Sequence, residues 1–142
     1  MSPSSPEIVT AALLVIGDEI LSGRTKDKNI GFIAEYLTAI GIDLKEVRVV
    51  SDDEAEIVAG VNALRSRYTY VFTTGGIGPT HDDITADSVA KAFGVGIDHH
   101  PDVVARFKER FKDDLNEARL RMARIPDGAE LVQSATILAP AS

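Results

Sequence analysis

Two rhythms of apolar residues run along the chain. From Ile8 to Ile16 every position but Thr10 is apolar, and the run stops at Gly17. A short continuous run of this kind predicts a strand buried on both faces. From Asp27 the spacing lengthens. Ile30, Ile33, Ala34, Leu37 and Ile40 recur at helical intervals, and Gly41 stands where a helix ends on glycine. Ile42 to Val50 returns to alternation, through Ile42, Leu44, Val47, Val49 and Val50, with one slip, and predicts a second strand. Ser51-Asp52-Asp53-Glu54 has the form of a capping box and opens a helix that buries Ile57, Val58, Val61 and Leu64. Tyr68 to Thr73 has the β-branched and aromatic content of a third strand.

Beyond a glycine-rich stretch the helical rhythm resumes at about Thr85, with Val89, Ala92 and Phe93 facing inward and Gly94 as the stop. Pro101 suits the first turn of another helix, whose stripe is Val103, Val104, Phe107 and Phe111. Asp113 and Asp114 break or recap it before a segment from Leu115 to Ala123. Ile125-Pro126-Asp127-Gly128 reads as a turn, and Leu131 to Leu138 as a last strand. Strand and helix in alternation predict an α/β fold with a mostly parallel sheet, and right-handed crossovers place helices on both of its faces. Residues 1–7 read as a flexible amino terminus, and residues 8–142 as one domain.

Composition narrows the function. The chain has 142 residues, 44% hydrophobic and 26% charged, ordinary globular values. Fifteen basic residues against 22 acidic ones give a net charge of −7. That balance argues against nucleic acid and against anionic membranes as partners. No cysteine is present, which excludes disulfides, thiolate metal sites and cysteine nucleophiles. The longest apolar run, Ala11–Ile16, is far short of the ~20 residues that cross a bilayer. A cytoplasmic protein is expected.

Ligands of open parallel sheets bind at the carboxyl ends of the strands. Three such ends can be read: Gly17-Asp18-Glu19 with Ser22-Gly23, then Ser51-Asp52-Asp53, then the loop Thr74-Gly75-Gly76-Ile77-Gly78-Pro79-Thr80-His81-Asp82-Asp83. The loop glycines let a ligand touch the main chain, and the helix that follows offers N–H groups and a positive dipole end to a phosphate. Thr74, Thr80 and Thr85 add hydroxyl donors. Asp82 and Asp83 would repel a phosphate unless a divalent cation, magnesium by preference, lay between them. The same residues also fit a plain strand-to-helix turn, with Asp82, Asp83 and Asp87 complementing the helix and Asp52 serving as a helix cap. The loop matches neither the P-loop nor the dinucleotide fingerprint. His99 and His100 read as a solvated turn, and His81 as a surface histidine. Arg119, Arg121 and Arg124 are either solvated or within reach of an anionic ligand.

The stretch Thr73-Thr74-Gly75-Gly76-Ile77-Gly78-Pro79-Thr80-His81-Asp82-Asp83-Ile84-Thr85 closely resembles the signature of the molybdenum-cofactor-biosynthesis, or molybdopterin-binding, domain. Within that group the chain looks most like the amino-terminal domain of the CinA (competence/damage-inducible) proteins. Gly17-Asp18-Glu19-Ile20-Leu21-Ser22-Gly23, Asn29 and Val49-Val50-Ser51-Asp52-Asp53 agree with the same pattern, and the match runs over roughly residues 8 to 133. The resemblance implies a three-layer α/β/α fold and binding of molybdopterin or a nucleotide at the carboxyl edge of the sheet. It also implies assembly as a homo-oligomer, a trimer among the forms. Asp52 and Asp83 take the positions of two functional aspartates, and so become the implied catalytic and metal-holding residues. Three activities follow from the resemblance: binding alone, metal-dependent cleavage of dinucleotide pyrophosphates such as ADP-ribose, and adenylyl transfer to molybdopterin. Where the pattern has Asn-Pro-x-Gly before Ala139-Pro140, this chain has Ser134-Ala135-Thr136-Ile137. The family pattern runs on beyond Ala-Pro, so the domain is expected to be truncated at its carboxyl end.

Overall fold

The computed structural model describes residues 8–80, 83–129, 131–133 and 138–140. β1 (Val9–Ile16) is the central strand of a three-stranded parallel sheet, flanked by β2 (Ile42–Val50) and β3 (Tyr70–Thr74) in the order β2-β1-β3. Its apolar run has the cause read from the sequence: Ala11 to Ile16 are all buried. Alternation divides the strand between two layers. Ala12, Leu14 and Ile16 pack with Ile57, Val61 and Leu64 of α3 (Glu54–Arg65) and with Val89 of α4 (Thr85–Phe93). Ala11, Leu13 and Val15 face the other side, where the right-handed crossover carries α2 (Asn29–Ala39). The fold is thus α/β/α, as expected.

The slip in the β2 alternation is a β-bulge. Ala11 pairs with Leu44 and Ala12 with Glu46, so Lys45 is the extra residue. Without it Val47 and Val49 would turn to the wrong face. Just before β3, the Tyr68 hydroxyl donates to Glu46 Oε1 at 2.8 Å, and Arg48 Nε donates to Glu46 Oε2 at 2.6 Å. These bonds hold the Glu46 carboxyl below its ordinary range and raise the Tyr68 hydroxyl above its own.

A second unit follows α4. β4 (Ile97–His99) pairs antiparallel with β5 (Arg124–Pro126) and brackets α5 (Pro101–Phe111), a 3-10 turn at Lys112–Asp114 and a short helix, Glu117–Arg121. Val103, Ala123 and Ile125 form its own apolar cluster. The aspartates at 113 and 114 interrupt the helix as expected, whereas Ile125-Pro126 is strand rather than turn. His99 likewise belongs to a strand, and the His100 ring accepts the N–H of Asp102 as the cap of α5. Phe93 is not inward. It is 50% exposed, with the Arg65 guanidinium 4.4 Å from its ring centre. The expected last strand is instead an antiparallel pair, β6 (Leu131–Gln133) and β7 (Leu138–Pro140). Ser134 to Ile137 lie outside the described residues. Among those residues, no helix is long and apolar enough to cross a membrane.

Candidate functional site

Parallel pairing brings the carboxyl ends of β1, β2 and β3 to one edge, as the sequence requires. Gly17 leaves β1 with its N–H on the Val50 carbonyl at 3.0 Å, and a single helical turn, α1 (Asp18–Leu21), follows where the sequence reads as loop. We number the helix at Glu117–Arg121 α6. Asp18 and Asp52 bind reciprocally. The Asp18 N–H donates to Asp52 Oδ2 at 3.2 Å, and the Asp52 N–H donates to Asp18 Oδ1 at 3.1 Å. Asp52 therefore ties two loops together and is not the N-cap of α3. Nor is Ser51: Asp53 holds that position, accepting the Ala55 N–H at 3.0 Å. The Glu19 carboxylate lies against Gly17. Ser22 and Gly23 are exposed, and the Ser22 hydroxyl takes the Arg24 Nε at 3.1 Å. Asn29 opens α2, as expected, while the Asp27 carboxylate accepts the Ile30 N–H at 2.7 Å.

The glycine loop is pressed onto the end of the sheet. Gly75 has φ +91°, and a Cβ there would stand 2.0 Å from the Ile16 carbonyl oxygen. Gly76 has φ +66°, and its Cβ would stand 2.2 Å from the Thr85 hydroxyl. Only glycine meets both demands. Thr85 is buried: its hydroxyl donates to the Gly75 carbonyl at 2.8 Å, and its N–H donates to the Gly76 carbonyl at 3.1 Å. Thr85 thus shapes the loop, its hydroxyl and N–H both given to loop carbonyls. Thr80 is likewise engaged. Its N–H and hydroxyl both donate to Asp83 Oδ2, at 3.0 and 2.7 Å. Gly78 lies against that same carboxylate. Thr74 is the last residue of β3, and Pro79 is exposed in the loop. His81 and Asp82 lie outside the described residues.

Among the described residues, no group of three or more His, Asp or Glu is placed to hold a metal ion. The expected magnesium site is thus not ready-made. Asp52 and Asp83 each already accept backbone hydrogen bonds, so a cation beside either would depend on oxygens brought by a ligand.

One cluster escaped the sequence reading. Asp87, in the first turn of α4, is gripped by two arginines from the second unit. Arg121 Nη2 lies 3.3 Å from Asp87 Oδ2, and Arg124 Nη2 holds Asp87 Oδ1. Arg121 Nε also donates to the Thr80 carbonyl at 3.2 Å, which joins the cluster to the glycine loop. The three-residue spacing of Arg121 and Arg124 was the available signal.

A parallel sheet whose three strand ends meet a glycine loop and a helix start is the architecture of a small-molecule-binding α/β domain. Comparison gives it a family. Residues 12–141 match the family described as "Probable molybdopterin binding domain", and the chain belongs to that family. The crystal structure of CinA from Thermoplasma acidophilum superposes with a TM-score of 0.86 at 34% identity, over 94% of this chain and 79% of that one. MoaB from Pyrococcus furiosus, described as a tungsten cofactor synthesizing protein, shares the fold at a TM-score of 0.58 and 20% identity, over 96% of this chain and 81% of its own. Among curated proteins, PH0439 from Pyrococcus horikoshii is 38% identical over 94% of this chain and 56% of its own length. A "Probable FAD synthase" from Caenorhabditis elegans is 46% identical over 65% of this chain but only 18% of its own. The chain spans about half the length of the archaeal relatives and less of the synthase.

Proposed function

We propose that this domain binds a small molecule carrying a phosphate, a pterin such as molybdopterin or a nucleotide, at the glycine-loop edge of its sheet. The observation that carries the reading is the junction of loop and helix. The loop approaches by its main chain, and α4 starts with no side-chain cap, which leaves helix N–H groups and the positive dipole end for an anion. The two arginines around Asp87 add a net positive charge beside the same loop. The family description supports the pterin, and the relative named as an FAD synthase supports the nucleotide. A magnesium ion is proposed only as a companion of the phosphate, with Asp52 and Asp83 the residues that would hold it. The same proposal takes the protein as cytoplasmic and self-associating.

A thermal-melt screen tests this. Pterin phosphate, AMP, ATP, ADP-ribose and FAD are each added with and without magnesium. A ligand at about 100 times its Kd adds about 2.7 kcal/mol, which raises the melting point by several degrees in a domain of this size. A flat profile across all five overturns the proposal. The catalytic reading is favoured by the synthase relative and adds product formation to the same mixtures: AMP from ADP-ribose marks pyrophosphate cleavage, whereas adenylylated pterin from ATP marks transfer.

A further inference from the structure

The side of β3 turned away from β1 has no strand beside it among the described residues. Half of the N–H and C=O groups of Tyr70-Val71-Phe72-Thr73-Thr74 therefore have no ladder partner. Edge strands that stay single are blunted by charge, by proline or by a bulge. β3 carries no charged residue and no proline, and its register against β1 is unbroken. One face of the strand is bare as well. Tyr70 and Phe72 pair with Ala11 and Leu13, so they share the side of the sheet that carries α2. Ala11 and Leu13 are fully buried there, whereas Tyr70 and Phe72 are 51% and 37% exposed, with ring centres 6.2 Å apart. α2 lies against β2 and leaves β3 uncovered. Phe32, Tyr36 and Ile40 recur every four residues along one flank of α2, beside the inward Leu37, and all three are exposed. The right-handed crossover from β1 to β2 turns that flank toward β3. Strand and flank thus border one trough with five apolar side chains.

We propose that a second copy of this chain closes the trough by pairing β3 with its own β3 in antiparallel register about a two-fold axis. The inference rests on the self-associating reading above and names its surface. Phe72 is the middle residue of the strand, so the axis sets Phe72 against the partner's Phe72 and Tyr70 against the partner's Thr74. An axis perpendicular to the sheet keeps both pairs of exposed rings on one face, where they make cross-strand aromatic contacts. The same rotation brings the two α2 flanks face to face above that floor. Area supports a whole second copy as the occupant. An aromatic side chain offers roughly 150–250 Å², so Phe32, Tyr36, Tyr70 and Phe72 leave about 400 Å² open on each copy. Two copies with their paired strands then pass the ~1,000 Å² that a specific interface needs.

Sedimentation velocity on the full chain tests the pairing, with Phe72 as the reporter because it would meet itself. The wild-type mass rises with concentration from that of one chain to that of two. Phe72→Lys and Phe72→Glu each set like charges against each other at the axis and weaken the dimer at least about tenfold. Mixed in equal amounts, the two variant chains set Lys against Glu and recover the two-chain mass, seen by native mass spectrometry as the heterodimer. Circular dichroism confirms that each variant is folded. If the wild type stays a single chain at every concentration, the self-associating reading falls and this inference with it. If the wild type associates and both folded variants do so as tightly, or if the mixture associates no better than either variant alone, this inference alone is overturned.

Discussion

Gly75→Ala tests the contact on which the site geometry depends. Two costs add at this position. An L-residue at φ +91° sits in the left-handed region, at about 1–2 kcal/mol. The new methyl would also stand 2.0 Å from the Ile16 carbonyl oxygen, a backbone atom of the central strand that cannot swing away. Overpacking of that kind costs about 1–3 kcal/mol, so the total is about 2–5 kcal/mol, a large share of the ~5–15 kcal/mol that holds a typical domain. Gly41→Ala is the internal control. Gly41 has φ +85° but nothing within 4 Å of the point where a Cβ would stand, so it incurs the first cost alone. With a urea m value of roughly 2 kcal/mol per molar, the Gly75 variant loses about 1–2.5 M in midpoint and the control about 0.5–1 M. Urea unfolding followed by circular dichroism, with m unchanged, reads both. Equal losses in the two variants would refute the close seating of the loop on β1, and the proposed site would lose its floor.

Two further outcomes follow from features away from the loop. Glu46 has a lowered carboxyl pKa, so its bonds to Arg48 and Tyr68 stabilise the fold above the ordinary value of 4.5, and that contribution is lost as pH falls through the lower folded value. Glu46→Gln should therefore lower the melting point near neutrality, with a deficit that shrinks below pH 4.5; a deficit constant with pH would show that the charge is immaterial. Phe32 and Tyr36 stack on α2 with ring centres 6.5 Å apart and are 70% and 59% exposed, an apolar surface suited to self-association. Light scattering should give a multiple of the single-chain mass for the wild type and a smaller assembly for the double serine variant; a wild type that is monomeric at all concentrations tested removes the homo-oligomer from the proposal.

Much of the fold is legible in residue spacing because long elements repeat their period. The run at β1, the stripe of α2 and even the bulge at Lys45 show as regularities or as one break in a regularity. β4 and β5 do not, because three residues carry no period, and only their mutual pairing makes them strands. The capping box points to Ser51, two positions ahead of the true cap of α3, because Ser51 and Asp53 are both good caps. Backbone torsions decide between them, and Asp53 is the one in extended conformation ahead of the helix. At the site, local pattern prompts the glycines and the Asp52 and Asp83 positions, but not the roles of Thr80 and Thr85. A hydroxyl reads as a donor in sequence, and only the fold shows which acceptor has already claimed it. The ion pairs of Asp87 with Arg121 and Arg124 join residues more than thirty positions apart, beyond the reach of any local rule.

The buried hydroxyl of Thr85 also couples two elements. It belongs to the first residue of α4, yet its acceptor is the turn before that helix, so neither can settle into place without the other. To open the turn, a fluctuation would have to strand a desolvated polar group and lift α4 from its seat, a penalty on the scale of about 1–3 kcal/mol for the lost bond alone. The edge proposed to bind a ligand is thereby partly built in advance, so a ligand held there would not lose affinity to freezing that turn.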